Sequence, residues 1–126
     1  MADLQISKLD ATKRQLETAV RLYFSEADPV SIHTLTWAAY QVLLDLNKTR
    51  GGLPMLTELV SSPVLPDKVE EVKRRFSAAA NFFKHADRDP VNILTFNPAQ
   101  TEILLLDASY KYRDLTGETV PTLGFT

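Results

Sequence analysis

His85 is one of only two histidines in the chain, and it stands in the run SAAANFFKHADRDP, residues 77–90. Histidine is the side chain whose ordinary pKa suits proton transfer near neutral pH. At 100° per residue Arg74, Ala78, Asn81 and His85 fall on one helical stripe, and Asn81 and His85 each project within about 20° of Arg74. Lys84 and Arg88 flank the imidazole. Cations beside a His are the combination that binds phosphate and moves a proton without a metal. Asn81 and His85 are thus the polar residues this stripe singles out, with the cations Arg74, Lys84 and Arg88 along the same helix end. The same residues also have a plainer reading. Glu70–Arg74 and Glu71–Arg75 are spaced as surface i,i+4 pairs, and the macrodipole favours a His at a helix C-terminus.

Other groupings offer other chemistry. His85, Asp87 and Asp89 alternate as divalent-metal ligands can, but Asp89 before Pro90 is an ordinary turn or cap element, so no metal is expected. His33, Trp37 and Tyr40, at spacings of 4 and 7, form either one wall of a ligand pocket or a packing or subunit interface. Tyr110, Lys111, Tyr112 and Arg113 combine aromatic and basic groups as nucleic-acid surfaces do, although consecutive helical residues point in different directions. There is no cysteine, which excludes disulfides and thiolate chemistry. No glycine-rich phosphate loop, nucleophile elbow or Glu-x-x-His pair occurs, and no cofactor is expected.

The elements that must position these residues are read from Pro-free windows. Leu9, Leu16, Val20, Tyr23, Phe24 and Ala27 recur at helical spacing within residues 7–27. Asp28-Pro29 opens a second helix that runs to about Lys48 and stops at Gly51-Gly52. Its broad apolar face is Val30, Leu35, Ala38, Ala39, Val42, Leu43 and Leu46. Residues 51–66 read as a loop with one short helical turn at 55–60. A third helix, from Pro66 or Asp67 to about His85, carries the stripe Val69, Val72, Phe76, Ala79, Ala80 and Phe83. A turn-rich connector follows. The fourth helix, about Pro98 to Leu115, reads as largely buried and ends at Gly117, after which the tail is irregular or covers the core. No strand pattern appears. The expectation is a single all-α domain over residues 1–126, a four- to five-helix bundle with mostly antiparallel neighbours.

Composition narrows the partners. Net charge is −2 and 44% of residues are hydrophobic, so a core is feasible and nucleic-acid binding would rest on a local patch. No secretory leader or membrane-length apolar run is present, and a cytoplasmic protein is expected.

The run NFFKH at 81–85 resembles the second half of the motif of HEPN domains, compact helical bundles of bacterial toxin and antiphage systems and of RNA processing. The longer run NFFKHADRDP is also similar to uncharacterised bacterial helical proteins. The HEPN motif is an Arg, usually followed by a polar residue such as Asn, then His after four to six residues. Asn81 matches the polar position and His85 the His, whereas positions 78, 79 and 80, where the Arg belongs, are all Ala. The resemblance implies a homodimer and RNA or nucleotide as ligand. It also implies a protein partner of the toxin–antitoxin type, and either metal-independent RNA cleavage, with Asn81 and His85 as the candidate catalytic pair and Arg74, Lys84 and Arg88 as candidate phosphate contacts, or a non-catalytic binding role at the same groove. The alternative is a dimeric interaction or small-ligand bundle that uses His33, Trp37 and Tyr40.

Overall fold

Local side-chain chemistry sets where each helix begins and ends. The computed structural model describes residues 2–61 and 66–120. Helix α1 (Lys8–Phe24) is opened by Ser7, whose hydroxyl accepts from the Asp10 N–H at 3.0 Å. The Asp10 carboxylate accepts in return from the Ser7 N–H at 3.1 Å. This reciprocal box satisfies donors that a helix start leaves unpaired. It also holds the Asp10 carboxyl below its ordinary pKa. At the other end Ala27 N–H reaches the Leu22 carbonyl and Glu26 takes φ 55.

Helix α2 (Pro29–Arg50) starts as its sequence predicts. The Asp28 carboxylate accepts from the Val30 and Ser31 N–H groups, and Pro29 fills the first helical position. Gly51, at φ 67, ends the helix in the left-handed conformation that residues other than glycine adopt at a cost. A short 3₁₀ helix (Leu56–Ser61) supplies the expected turn. Helices α3 (Pro66–Lys84) and α4 (Ala99–Thr116) complete the bundle, with Gly117 stopping α4.

Helix α2 is the centre and packs against the other three helices. Leu16 and Val20 from α1 meet Trp37, Tyr40 and Leu43 from α2, Phe76 and Ala80 from α3, and Leu104, Ala108 and Tyr112 from α4. Met55, from the segment after α2, and Val120, from the segment after α4, join the same cluster. Each large apolar side chain taken wholly out of water contributes about 1.5–3 kcal/mol, so this cluster drives folding. The four-residue connection 25–28 makes α1 and α2 antiparallel. Among the described residues there is no strand, and no helix is long and apolar enough to cross a membrane.

Three expectations change. Helix α4 is not buried all round: Ile103, Leu106 and Tyr110 are 48%, 58% and 65% exposed. The run Ile103–Leu106 is too densely apolar to show which side faces inward. On α2, Val30 faces outward while Thr36 and Asn47 are buried. The aromatic-basic patch at 110–113 does not form, because Lys111 and Tyr112 point into the protein. Of the surface pairs, Glu17–Arg21 and Glu71–Arg75 are made, at 3.6 and 2.6 Å, and Arg74 forms no ion pair among the described residues. The side chains of Val69 and Val72 and the tail at 121–126 lie outside the described residues.

Candidate functional site

The last turn of α3 closes with His85 N–H donating to the Asn81 carbonyl at 3.1 Å. The chain then leaves the helix, and Pro90, lacking an N–H and crowding the preceding turn, cannot continue it. The connector 85–98 is anchored at its far end by Phe96. That ring meets His33 edge-on at 5.3 Å and Phe83 at 5.1 Å. The Asn97 side chain then accepts from the Ala99 N–H and starts α4. Held at both ends, the connector faces the end of α3 across a groove of about 630 Å³.

Asn81 and His85 line this groove from the helix, and Arg88 lines it from the connector. Arg74 and Lys84 do not line it. The physical reason is axial distance for Arg74: seven residues before Asn81 is about 10 Å along the helix, whatever the shared direction. Lys84, adjacent to His85, projects about 100° away from it. Both stay exposed on the helix surface. Sequence reasoning missed Phe82, Asn92, Ile93 and Leu94 in the lining. Phe82, Ile93 and Leu94 form an apolar wall, while Asn92, Asp87 and Asp89 add polar edges. A signal for the wall was present in the sequence, since Ile93 and Leu94 are apolar residues in a turn-rich segment, and Ile93 stands 94% exposed. His85, Asp87 and Asp89 do not converge as a metal site: no group of three such ligands could hold an ion among the described residues.

The groove can therefore present one exposed imidazole, one guanidinium that forms no ion pair among the described residues, an amide and a flat apolar patch. Two carboxylates on the same rim offset the guanidinium, which disfavours a dense polyanion and favours a ligand with few phosphates. Asn81 is oriented only by a long contact, 3.5 Å, to the Ser77 hydroxyl.

His33, Trp37 and Tyr40 are interior residues, so they form neither a pocket wall nor a free face for another subunit. They belong to the packing alternative that their spacing left open. The Phe76 carbonyl can only accept, so His33 Nε2 donates to it at 3.0 Å. Nδ1 then accepts from the Thr101 hydroxyl at 2.9 Å. Burial pushes the His33 pKa down, and the ring stays neutral. Trp37 stacks on Tyr40 at 5.7 Å and an interplanar angle of 8°. The Tyr40 hydroxyl donates to Asp107 at 2.5 Å, and burial raises the phenol far above its ordinary pKa.

No family model matches the chain, no curated protein matches it and no solved structure matches it.

Proposed function

We propose that the chain is a HEPN-like helical domain whose groove at the end of α3 binds RNA or a nucleotide. The observation that carries this reading is the placement of Arg88 on the same groove as His85 and Asn81. It offers a substitute for the cation that Ala78, Ala79 and Ala80 withhold. Arg88 contacts a phosphate, for which a guanidinium fork is well shaped. A base lies against Phe82, Ile93 and Leu94, and Asn81 or Asn92 bonds its edge. The ligand carries few phosphates within the groove, in keeping with Asp87 and Asp89 on its rim.

In metal-free cleavage a 2′-oxygen attacks phosphorus, loses its proton and expels the 5′-oxygen, which gains one. His85 is the group suited to one of those two transfers. The other requires a second acid or base, such as a rim carboxylate or the His85 of a second copy in a homodimer. Binding therefore asks less of this groove than turnover does.

The test incubates wild type, His85→Ala and Arg88→Ala with mixed RNA in EDTA, reading bound fraction and fragments together. Binding by wild type that weakens about tenfold in Arg88→Ala is expected, as for loss of one charge-assisted contact. Any fragments should vanish in His85→Ala. Sedimentation of the same samples should show a dimer. No binding and no fragments with wild type would sink the reading.

A further inference from the structure

A second cleft lies between the end of α1 and the start of α4, apart from the groove on α3. Two adjoining cavities, of about 270 and 560 Å³, share Tyr23, Phe24 and Glu102. Together they are the size of an ordinary small-molecule site.

The smaller cavity is walled by Val20, Leu105 and Leu106 and also lined by Ser109. Ser109 is 7% exposed, and its hydroxyl has no hydrogen-bond partner. A helical serine commonly bonds the carbonyl four residues back, and this one does not. A buried, unpaired hydroxyl is unfavourable, and few occur in folded proteins. The residue that carries it lines the smaller cavity, so a ligand there would lie beside an unsatisfied hydroxyl.

The larger cavity is acidic. Glu26 and Glu102 line it, neither is ion-paired among the described residues, and no Lys or Arg lines either cavity. The Tyr23 and Phe24 rings meet edge-on at 5.3 Å, and Phe24 is 62% exposed. Aromatic faces beside carboxylates attract cations and repel anions. Glu26 also holds φ 55, where helix-ending geometry favours glycine. The chain keeps a carboxylate at a position whose backbone would prefer none.

We infer that this cleft binds a small organic ammonium ion whose apolar body ends in a hydrogen-bonding group. The ammonium sits between Glu26 and Glu102 against the Tyr23 and Phe24 rings. The body fills the space beside Leu105 and Leu106, and its polar end pairs with the Ser109 hydroxyl.

The probes are tyramine, phenethylamine, which lacks the hydroxyl, and 4-hydroxyphenylpropionate, which carries a carboxylate in place of the amine. Each is titrated into the full chain and followed by amide resonances in two-dimensional NMR. Tyramine should shift residues 23–27 and 102–109 saturably, phenethylamine should bind more weakly, and the carboxylate should not bind. Glu102→Gln, an exposed change that leaves the fold intact, should weaken tyramine about five- to tenfold. Ser109→Ala should weaken tyramine about fivefold, leave phenethylamine unchanged and raise the thermal midpoint. A purely structural serine would not separate the two amines. The inference is overturned if the carboxylate binds as well as tyramine, or if Glu102→Gln leaves affinity unchanged. It is equally overturned if the shifts map elsewhere, or if tyramine produces none because a second copy of the chain occupies the cleft.

Discussion

The His33 imidazole is fully enclosed, bonded through Nε2 to a backbone carbonyl of α3 and through Nδ1 to a hydroxyl of α4. His85 is exposed on the groove. This difference makes His33 a stability sensor. Its pKa is lowered on folding, so between the folded value and the unfolded value near 6.5 the unfolded chain binds the extra proton. Stability is full above pH 6.5 and is lost as pH falls through the folded pKa, at up to about 1.4 kcal/mol per pH unit. Asp10 and Asp28 are held below their ordinary carboxylate values, so their contribution is lost at more acidic pH and does not overlap. Urea midpoints of wild type should fall between pH 7 and 5.5. Those of His33→Leu should start lower and stay flat, and a parallel decline in both would assign the effect elsewhere. The sequence marks both histidines as unusual, but it does not say which is buried. Ile32, Thr36 and Thr101 are enclosed beside His33, and polar residues such as threonine carry no inward signal of their own.

Between α2 and α4, the segment 53–58 is tied down by polar groups rather than by apolar contact alone. Lys111 is 5% exposed, and its ammonium donates to Asn47 Oδ1 at 3.1 Å, to Asp114 at 2.8 Å and to the Leu53 carbonyl. Asn47 Nδ2 donates to the same carbonyl and to Glu58, both at 2.9 Å. One heptad before Asn47, Tyr40 shares Asp107 with the Leu56 N–H. Lys111→Met strands these acceptors and should cost about 2–4 kcal/mol in urea unfolding. Gly52→Ala should cost about 1–3 kcal/mol, because its Cβ would press on Asn47 Oδ1 and crowd Lys111 Nζ and Asp114. Arg75→Ala removes an exposed pair and should cost less than about 0.5 kcal/mol. Equal losses in Lys111→Met and Arg75→Ala would show that the buried tether adds nothing. Helix ends were legible where Asp28-Pro29, Gly51 and Gly117 act through local backbone geometry. The tether was not, because a lysine spaced along an apolar helix reads as surface until the two acceptors from other segments, Asn47 and the Leu53 carbonyl, are known to enclose it. The same limit applies to the groove. Helical phase aligned Arg74 with Asn81 and His85, whereas Arg88, named only as a flanking cation, reaches the groove from the connector, where helical phase no longer applies.

Across the whole molecule the two candidate sites flank one internal knot. His33 joins α2 to α3 and α4, with Phe83 and Phe96 packed on its ring at 6.0 and 5.3 Å. Thr101, its hydrogen-bond partner, lines the α1–α4 cleft, while Phe82, beside Phe83, lines the α3 groove. The connector that completes the groove meets this knot through Phe96. Its remaining residues are mostly exposed, so little else opposes its local opening. Phe96→Ala should therefore lower global stability by only about 1–2 kcal/mol, since the ring is partly buried and loses two edge-on contacts. The amides of residues 86–89 and 91–95 should exchange with solvent at least about tenfold faster, while those of α2 slow or quicken only with the global change. RNA or nucleotide binding at the groove should weaken with the loosened connector, and tyramine binding at the cleft should persist, because Glu102 and Ser109 do not depend on Phe96. Uniform acceleration across all helices would mean that the connector does not open separately. The groove would then be as rigid as the core, and the loss of Arg88 from its rim could not be separated from unfolding.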